Sequence, residues 1–206
     1  MKRKLLLVFF MCASTLSFAQ FSTNTVTLGS SGMSVKIDTN TTTVTLTLAG
    51  PTTGWFGVGF GGSSMSSVSD MFIWNSTANR DYNPSGFQSA PSADAVQSWT
   101  ITSDNVVGTT RTLVATRNLV SSGDFTFTNN TSNINIIYAR GSTNSLSSHG
   151  NNPHAAQTLT RTALGVEDFS LNASAVYPNP SNGNFTVKSK TTLDRINIYT
   201  QTGAFV

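Results

Sequence analysis

The sequence predicts an all-β fold: an antiparallel sandwich or barrel over about residues 21 to 161, followed by a short, partial β unit. Three observations carry this. Apolar and polar residues alternate at Val26-Leu28, Val35-Ile37, Val44-Leu46-Leu48 and Ile134-Ile136-Tyr138, the period of a strand with one face on a core. Turn signals punctuate these runs, at Gly29 to Gly32, Asp38 to Asn40, Gly50-Pro51, Asn83 to Gly86, Ser103 to Asn105 and Ser121 to Asp124. Charged residues make up only 10% of the chain, with Ser, Thr, Asn and Gly in the polar positions, and no stretch holds a 3.6-residue period for three turns. Long solvated helices are therefore not expected.

In chain order, the first element is a leader. Lys2 to Lys4 are a basic start, Leu5 to Cys12 a short apolar run, and Ser17-Phe18-Ala19 a small-x-small cleavage pattern. Residues 1–19 read as a cleaved secretory signal, because the apolar run is far short of the ~20 residues that span a bilayer. No transmembrane segment is expected in the mature chain. A β domain follows over residues 20–162, then a connecting segment over 163–175 and a terminal unit over 176–206. A length of 206 residues suits one domain with an appendage and argues against a multidomain enzyme.

Charge and cysteine content exclude several functions. The net charge of +3 is supplied wholly by Lys2, Arg3 and Lys4; beyond residue 19, nine basic residues face nine acidic ones. No basic patch is available for phosphates, so nucleic acid is not an expected partner. The one cysteine, Cys12, lies in the leader. Its loss leaves a mature chain without disulfides, thiol nucleophiles, Cys-ligated zinc, iron–sulfur clusters or thioether-attached haem.

Hydrolase signatures are weak. Glu167 is the only glutamate and falls in the connecting segment, no spacing selects a pair among the aspartates, and no G-x-S-x-G elbow occurs. No catalytic residue is assigned. The strand Gly54-Trp-Phe-Gly-Val-Gly-Phe60 is richer in chemistry, leading through Gly61-Gly62 to Met65 and then Ser69-Asp70-Met71-Phe72-Ile73-Trp74. Glycine weakens a strand and marks places where something approaches the backbone closely. Such a strand ending near Met65 would let a large planar group lie against the sheet, and Met with His is an axial pair of electron-transfer haems. Spacing alone leaves the other reading open, with Met65 filling a core gap. The two histidines, His149 and His154, share one loop-like stretch.

Taken together these elements resemble the DOMON domain family. The resemblance rests on Gly54-Trp55 and Gly57 to Phe60, Met65, Ser69 to Trp74, Gln97-x-Trp99, Arg117-Asn-Leu119, Ile137-Tyr138-Ala139 and His149-Gly150, in family order over about residues 22 to 162. It implies an antiparallel, immunoglobulin-like β-sandwich whose members bind b-type haem or sugars in extracytoplasmic redox systems. By position, the family's iron ligands fall on Met65 and His149. The haem would be haem b, held non-covalently, with Trp55, Phe60, Met71 and Tyr138 as pocket walls and Arg140 as a propionate partner. With both axial positions filled, the module would pass electrons to an extracytoplasmic redox partner and would not itself be an enzyme. Asp70 reads as a structural acceptor of backbone N–H groups.

The tail, Val176-Tyr-Pro-Asn-Pro-Ser-Asn-Gly-Asn-Phe-Thr-Val187 with Ile196-Asn-Ile-Tyr199 and Thr202-Gly203, resembles the C-terminal sorting domain of type IX secretion cargo. Alternating pairs place strands at Phe185-Val187 and Ile196-Ile198. The resemblance implies handling by the type IX machinery and a secreted or outer-membrane surface location; such domains usually continue further, so truncation is expected. Other readings remain at this stage: a carbohydrate-binding module stacking sugars on Trp55, Trp74, Trp99 and Tyr82, an adhesion module without ligand, and a copper or zinc site of His149, His154 and Met65.

Overall fold

The computed structural model describes residues 20–86, 89–164, 174–177, 182–184, 186–189, 195–199 and 205. The expected leader and most of the connecting segment lie outside these. The chain divides into two compact units, Met1–Gly165 and Val166–Val206.

Unit one is all β among the described residues. The chain lays down β1 (Gln20–Ser22), β2 (Val26–Thr27), β3 (Ser34–Thr39) and β4 (Thr43–Pro51) in one sheet. It then crosses to a second sheet for β5 (Phe56–Phe60), β6 (Asp70–Trp74), β7 (Asp81–Asn83) and β8 (Ser92–Ala93). The hairpin of β9 (Thr100–Val107) and β10 (Thr110–Asn118) returns to the first sheet, β11 (Ile134–Arg140) and β12 (His154–Leu159) join the second, and β13 (Thr162–Leu164) closes on β1. The orders are β13-β1-β3-β4-β10-β9, with β2 on β3, and β12-β11-β5-β6-β7-β8, every pairing antiparallel.

The alternation read in the sequence becomes burial. Val35 and Ile37 of β3, Val44, Leu46 and Leu48 of β4, and Ile134, Ile136 and Tyr138 of β11 all point into one core between the sheets. Phe56, Val58, Phe60, Phe72 and Trp74 meet them from the second sheet, with Trp99 and Phe127. Aromatic edges lock the middle: Phe72 and Trp99 are 5.5 Å apart at 77°, and Phe60 and Phe127 5.2 Å apart at 71°. Burying one such ring is worth about 1.5–3 kcal/mol.

Several expected turns are strand instead. Ser103-Asp104-Asn105 lies inside β9, because β9 is an exposed edge strand whose polar residues face water while its backbone bonds β10. The reversal comes at Gly108, with φ +59°. Gly50-Pro51 ends β4, Pro51 standing opposite Thr110 at the edge of the pairing. Residues 163 and 164, read as connecting segment, pair with β1.

In the second unit β14 (Ser174–Tyr177) pairs with β15 (Thr186–Ser189). Val187 lies in the expected strand, whereas Phe185 lies outside the described residues. Ile196-Ile198 is not a strand: both isoleucines are exposed, and among the described residues the pairing beside them is a bridge between Tyr199 and Phe205.

Candidate functional site

The middle of the second sheet is buried on both faces. Every residue of β5 and β6 is buried, yet only alternate ones enter the inter-sheet core. The others form a second apolar cluster on the outer face: Trp55, Met71, Ile73 and Tyr82, with Met65, Ile137, Ala139 and Leu146 packed against it. A cavity of about 310 Å³ opens there. This lies at the lower end of the ~300–1,000 Å³ usual for ligand sites.

Its floor is the outer face of three strands: Gly57 and Gly59 of β5, Met71 and Ile73 of β6, Ile137 and Ala139 of β11. The two glycines make this possible. A Cβ on Gly59 would lie 3.0 Å from Ile137 Cγ1, and one on Gly57 would lie 2.7 Å from the Phe72 carbonyl oxygen. Bare backbone in the middle of a sheet leaves a cradle that two methyl groups would fill.

The walls are loops. The turn after β5 carries Met65, half-buried, and is tied by serine: Ser67 Oγ accepts the backbone N–H groups of Ser63 and Ser64 at 3.0 Å each, and the Ser69 N–H donates to the Phe60 carbonyl at 3.1 Å. The segment after β11 returns as Leu146, Ser147, Ser148 and His149. Its start is pinned where Trp55 N–H donates to Thr143 O and Gly141 N–H to Trp55 O, both at 2.8 Å. Gly141 lets the backbone approach the indole, since a Cβ there would lie 2.1 Å from Trp55 Nε1. That indole N–H is buried without a hydrogen-bond partner. Ser89, Ala90 and Pro91 complete the rim.

The lining contains no Asp, Glu, Lys or Arg. Segments 61–69, 89–93 and 141–153 contain none either. The site is thus an uncharged pocket offering a thioether, an imidazole and serine hydroxyls. His149 Nδ1 lies 2.9 Å from the Gly150 carbonyl oxygen. A carbonyl only accepts, so Nδ1 donates a proton there, and in the neutral tautomer that this contact selects, Nε2 is the nitrogen with a lone pair for a metal. A bare floor, a soft sulfur and a free imidazole nitrogen in one cavity fit a planar metal macrocycle held without covalent attachment.

Of the residues singled out in the sequence, Met65, His149, Trp55, Met71 and Tyr138 border this one cavity. Tyr138 does so from the other side of the sheet: its ring belongs to the inter-sheet core, and its phenol oxygen would stand 2.6 Å from a Cβ on Gly29. Phe60 is not a wall. It is fully buried between the sheets, because it shares the parity of Phe56 and Val58. Arg140 is not in the lining either; it has the parity of Ile136 and Tyr138, away from Ile137 and Ala139. Trp74 and Trp99 are core residues while Trp55 and Tyr82 belong to the outer cluster, so the alternative sugar platform of Trp55, Trp74, Trp99 and Tyr82 does not form one surface. Ile73, Ile137, Ala139 and Leu146 were not anticipated as lining. Their signal was available in principle: they sit between the core positions of their strands, or in the loop ahead of His149.

A separate polar cluster lies elsewhere. Single oxygens of Asp70, Asp81 and Asp124 come within 4.8 Å of one another, and Arg117 Nη2 lies 2.7 Å from Asp70 Oδ2. Asp70 Oδ2 also accepts the Phe125 N–H at 3.3 Å, the structural role expected of it. The pairing with Arg117 could not be read from sequence.

Residues 175–206 match the family model described as a secretion system C-terminal sorting domain. A search of curated proteins finds no match to this chain. Among solved structures, the cytochrome b domain of pyranose dehydrogenase from Coprinopsis cinerea is similar, with a TM-score of 0.51 at 14% identity, covering 66% of this chain and 80% of that one. The chain therefore shares the β-sandwich fold of a cytochrome b domain, as its DOMON-like motifs lead one to expect, and ends in a secretion sorting tail.

Proposed function

We propose that residues 20–162 form a b-type haem-binding electron-transfer module, with Met65 and His149 as axial ligands, exported to the cell exterior or outer-membrane surface by the type IX machinery through the 176–206 tail. The observation that carries this reading is that Met65 and His149, remote in sequence, border one uncharged cavity over a glycine floor. Trp55, Met71 and Tyr138 stand beside them. The likeness to a cytochrome b domain supports the fold the reading needs.

When bound, haem iron supplies a one-electron couple, and a Met/His pair raises its potential. The chain's own residues do the rest. The Gly150 carbonyl holds the His149 tautomer, and the serine-tied turn presents the Met65 sulfur. The apolar floor would keep water from a bound haem. Met65 and His149 would together hold its iron, so the module would pass electrons and would not itself be an enzyme. Ser89, Ser147 and Ser148 of the lining would offer hydroxyl donors to its propionates, in place of Arg140, which is not in the lining.

A sugar-binding reading has less support. A stacking platform needs exposed rings, and Trp55, Trp74 and Trp99 are only 5%, 7% and 6% exposed.

The test is the absorption spectrum of residues 20–206 after addition of hemin, oxidised and dithionite-reduced. Sharp reduced α and β bands are expected in the wild type, lost in both Met65→Ala and His149→Ala. A chain that stays colourless with hemin would refute the proposal and return weight to sugar binding or adhesion.

A further inference from the structure

His154 is the histidine that the family resemblance leaves without a role once the ligand position falls on His149. In the structure the register of β11 and β12 sets it opposite Ala139. Directly opposed residues on antiparallel strands project from the same face, and Ala139 lines the cavity. His154 therefore stands on the cavity side of the sheet, on an edge strand, but is not itself part of the lining. The ring of His149, which is, lies against it at a tilt: the centroids are 3.9 Å apart with the planes at 32°.

Both rings are tied at the same nitrogen. His154 Nδ1 lies 2.8 Å from the Asn152 carbonyl oxygen, as His149 Nδ1 lies 2.9 Å from that of Gly150. Each Nδ1 thus donates and, in the neutral tautomer, each Nε2 keeps its lone pair. The link between them is closed by Asn152, whose backbone N–H and side-chain amide both donate to the His149 carbonyl, at 2.9 and 2.7 Å. Gly150, at φ +53°, permits the turn. One ring faces the cavity and the other backs it.

We propose that His154 is a positioning residue: its ring holds the imidazole of His149 in the orientation in which Nδ1 meets the Gly150 carbonyl, so that this contact fixes the tautomer and leaves Nε2 for the cavity. This rests on the reading of His149 as a ligand. A ring held in place before binding has less motion to lose, which is worth about fivefold in affinity for one side chain. Stacking needs a flat ring and no nitrogen, so phenylalanine should serve where alanine does not.

The experiment uses residues 20–206 as wild type, His154→Ala and His154→Phe, with two readouts. In the hemin-free chain, nitrogen and ring-proton NMR should show His149 as one tautomer in the wild type and in His154→Phe, and as an averaged ring in His154→Ala. In hemin titrations, His154→Ala should bind about fivefold more weakly and show a high-spin fraction, with His154→Phe restoring the low-spin spectrum. An unchanged His149 tautomer together with unchanged hemin affinity in His154→Ala would overturn the inference while leaving the haem reading intact. A wild-type chain that takes no hemin would overturn the haem reading instead, and the NMR comparison would then decide alone whether His154 holds His149.

Discussion

Arg117 and Asp70 form an ion pair inside the sandwich, Nη2 to Oδ2 at 2.7 Å, with each side chain about 1% exposed. The guanidinium also donates to the Phe125 carbonyl at 2.7 Å and lies 4.9 Å from the ring centres of both Trp99 and Phe127. It ties β10 to β6 and to the segment before β11. Asp81 is held separately by the Ser98 hydroxyl and N–H, at 2.5 and 2.9 Å.

Removing the cation from this cluster should be severe. At about pH 8, where Asp70 is ionised, Arg117→Met leaves buried carboxylates without their counter-charge, and breaking a buried pair from one side costs about 3–5 kcal/mol. Urea unfolding of residues 20–206 checks this; a loss under about 1 kcal/mol would mean that Arg117 is only packing.

The same cluster predicts a pH dependence. Burial pushes the Asp70 carboxyl up to about 7, against the pull of Arg117, and the nearby Asp81 and Asp124 carboxylates add to the rise. Burial raises Asp81 as well. The folded chain therefore keeps a proton that the unfolded chain releases near 3.8. Stability from this source is fully present below that value and is lost as pH rises towards 7. The melting temperature of the wild type, taken relative to Asp70→Asn, should fall between pH 5 and about 7.5. A difference that is flat or rises over that range would contradict the assignment.

The two floor glycines should behave differently. A Cβ at Gly57 meets backbone, the Phe72 carbonyl oxygen at 2.7 Å, and Gly57→Ala should cost about 1–3 kcal/mol in stability. At Gly59 the nearest atoms, Ile137 Cγ1 at 3.0 Å and Met71 Cγ at 3.4 Å, are side-chain atoms that can move. Gly59→Ala should keep the fold and weaken hemin binding about tenfold, read by parallel thermal melts and titrations. The reverse order of effects would show that the floor is not the binding surface.

Phe60 and Met71 separate core from site. Phe60→Ala should cost about 3–5 kcal/mol and leave the spectrum of hemin-loaded folded protein unchanged. Met71→Leu conserves volume, so it should cost less than about 1.5 kcal/mol yet alter hemin affinity. A spectral change in Phe60→Ala with none in Met71→Leu would place the site between the sheets.

The strands were legible because a β-strand's period is local. Val35-Ile37, Val44-Leu46-Leu48 and Ile134-Ile136-Tyr138 announced their buried faces through side chains two apart, and all three faces are buried as read. The glycine-rich run was legible as a strand, whereas spacing alone left open what Gly57 and Gly59 do in it. Other features were not. Phe60 looked like a pocket wall because alternation identifies two faces without saying which meets the other sheet. Ser103-Asp104-Asn105 looked like a turn because composition cannot show that β10 supplies hydrogen bonds along an exposed edge. Ile196-Ile198 looked like a strand, but a period-2 pattern does not by itself supply a pairing partner, and among the described residues the pairing beside it is a bridge between Tyr199 and Phe205.

By itself the sequence determined an all-β chain, its alternating faces, a Met and a His as candidate ligands, and a sorting tail. Only the tertiary structure decided that Met65 and His149 share one cavity, that His154 backs His149, that Phe60 and Arg140 lie off the site, and that Arg117 reaches Asp70. The physical reason is one of range. Periodicity and turn chemistry act over a few residues, whereas a site on the outer face of a sheet is assembled by strand order and register, which join residues far apart in the chain.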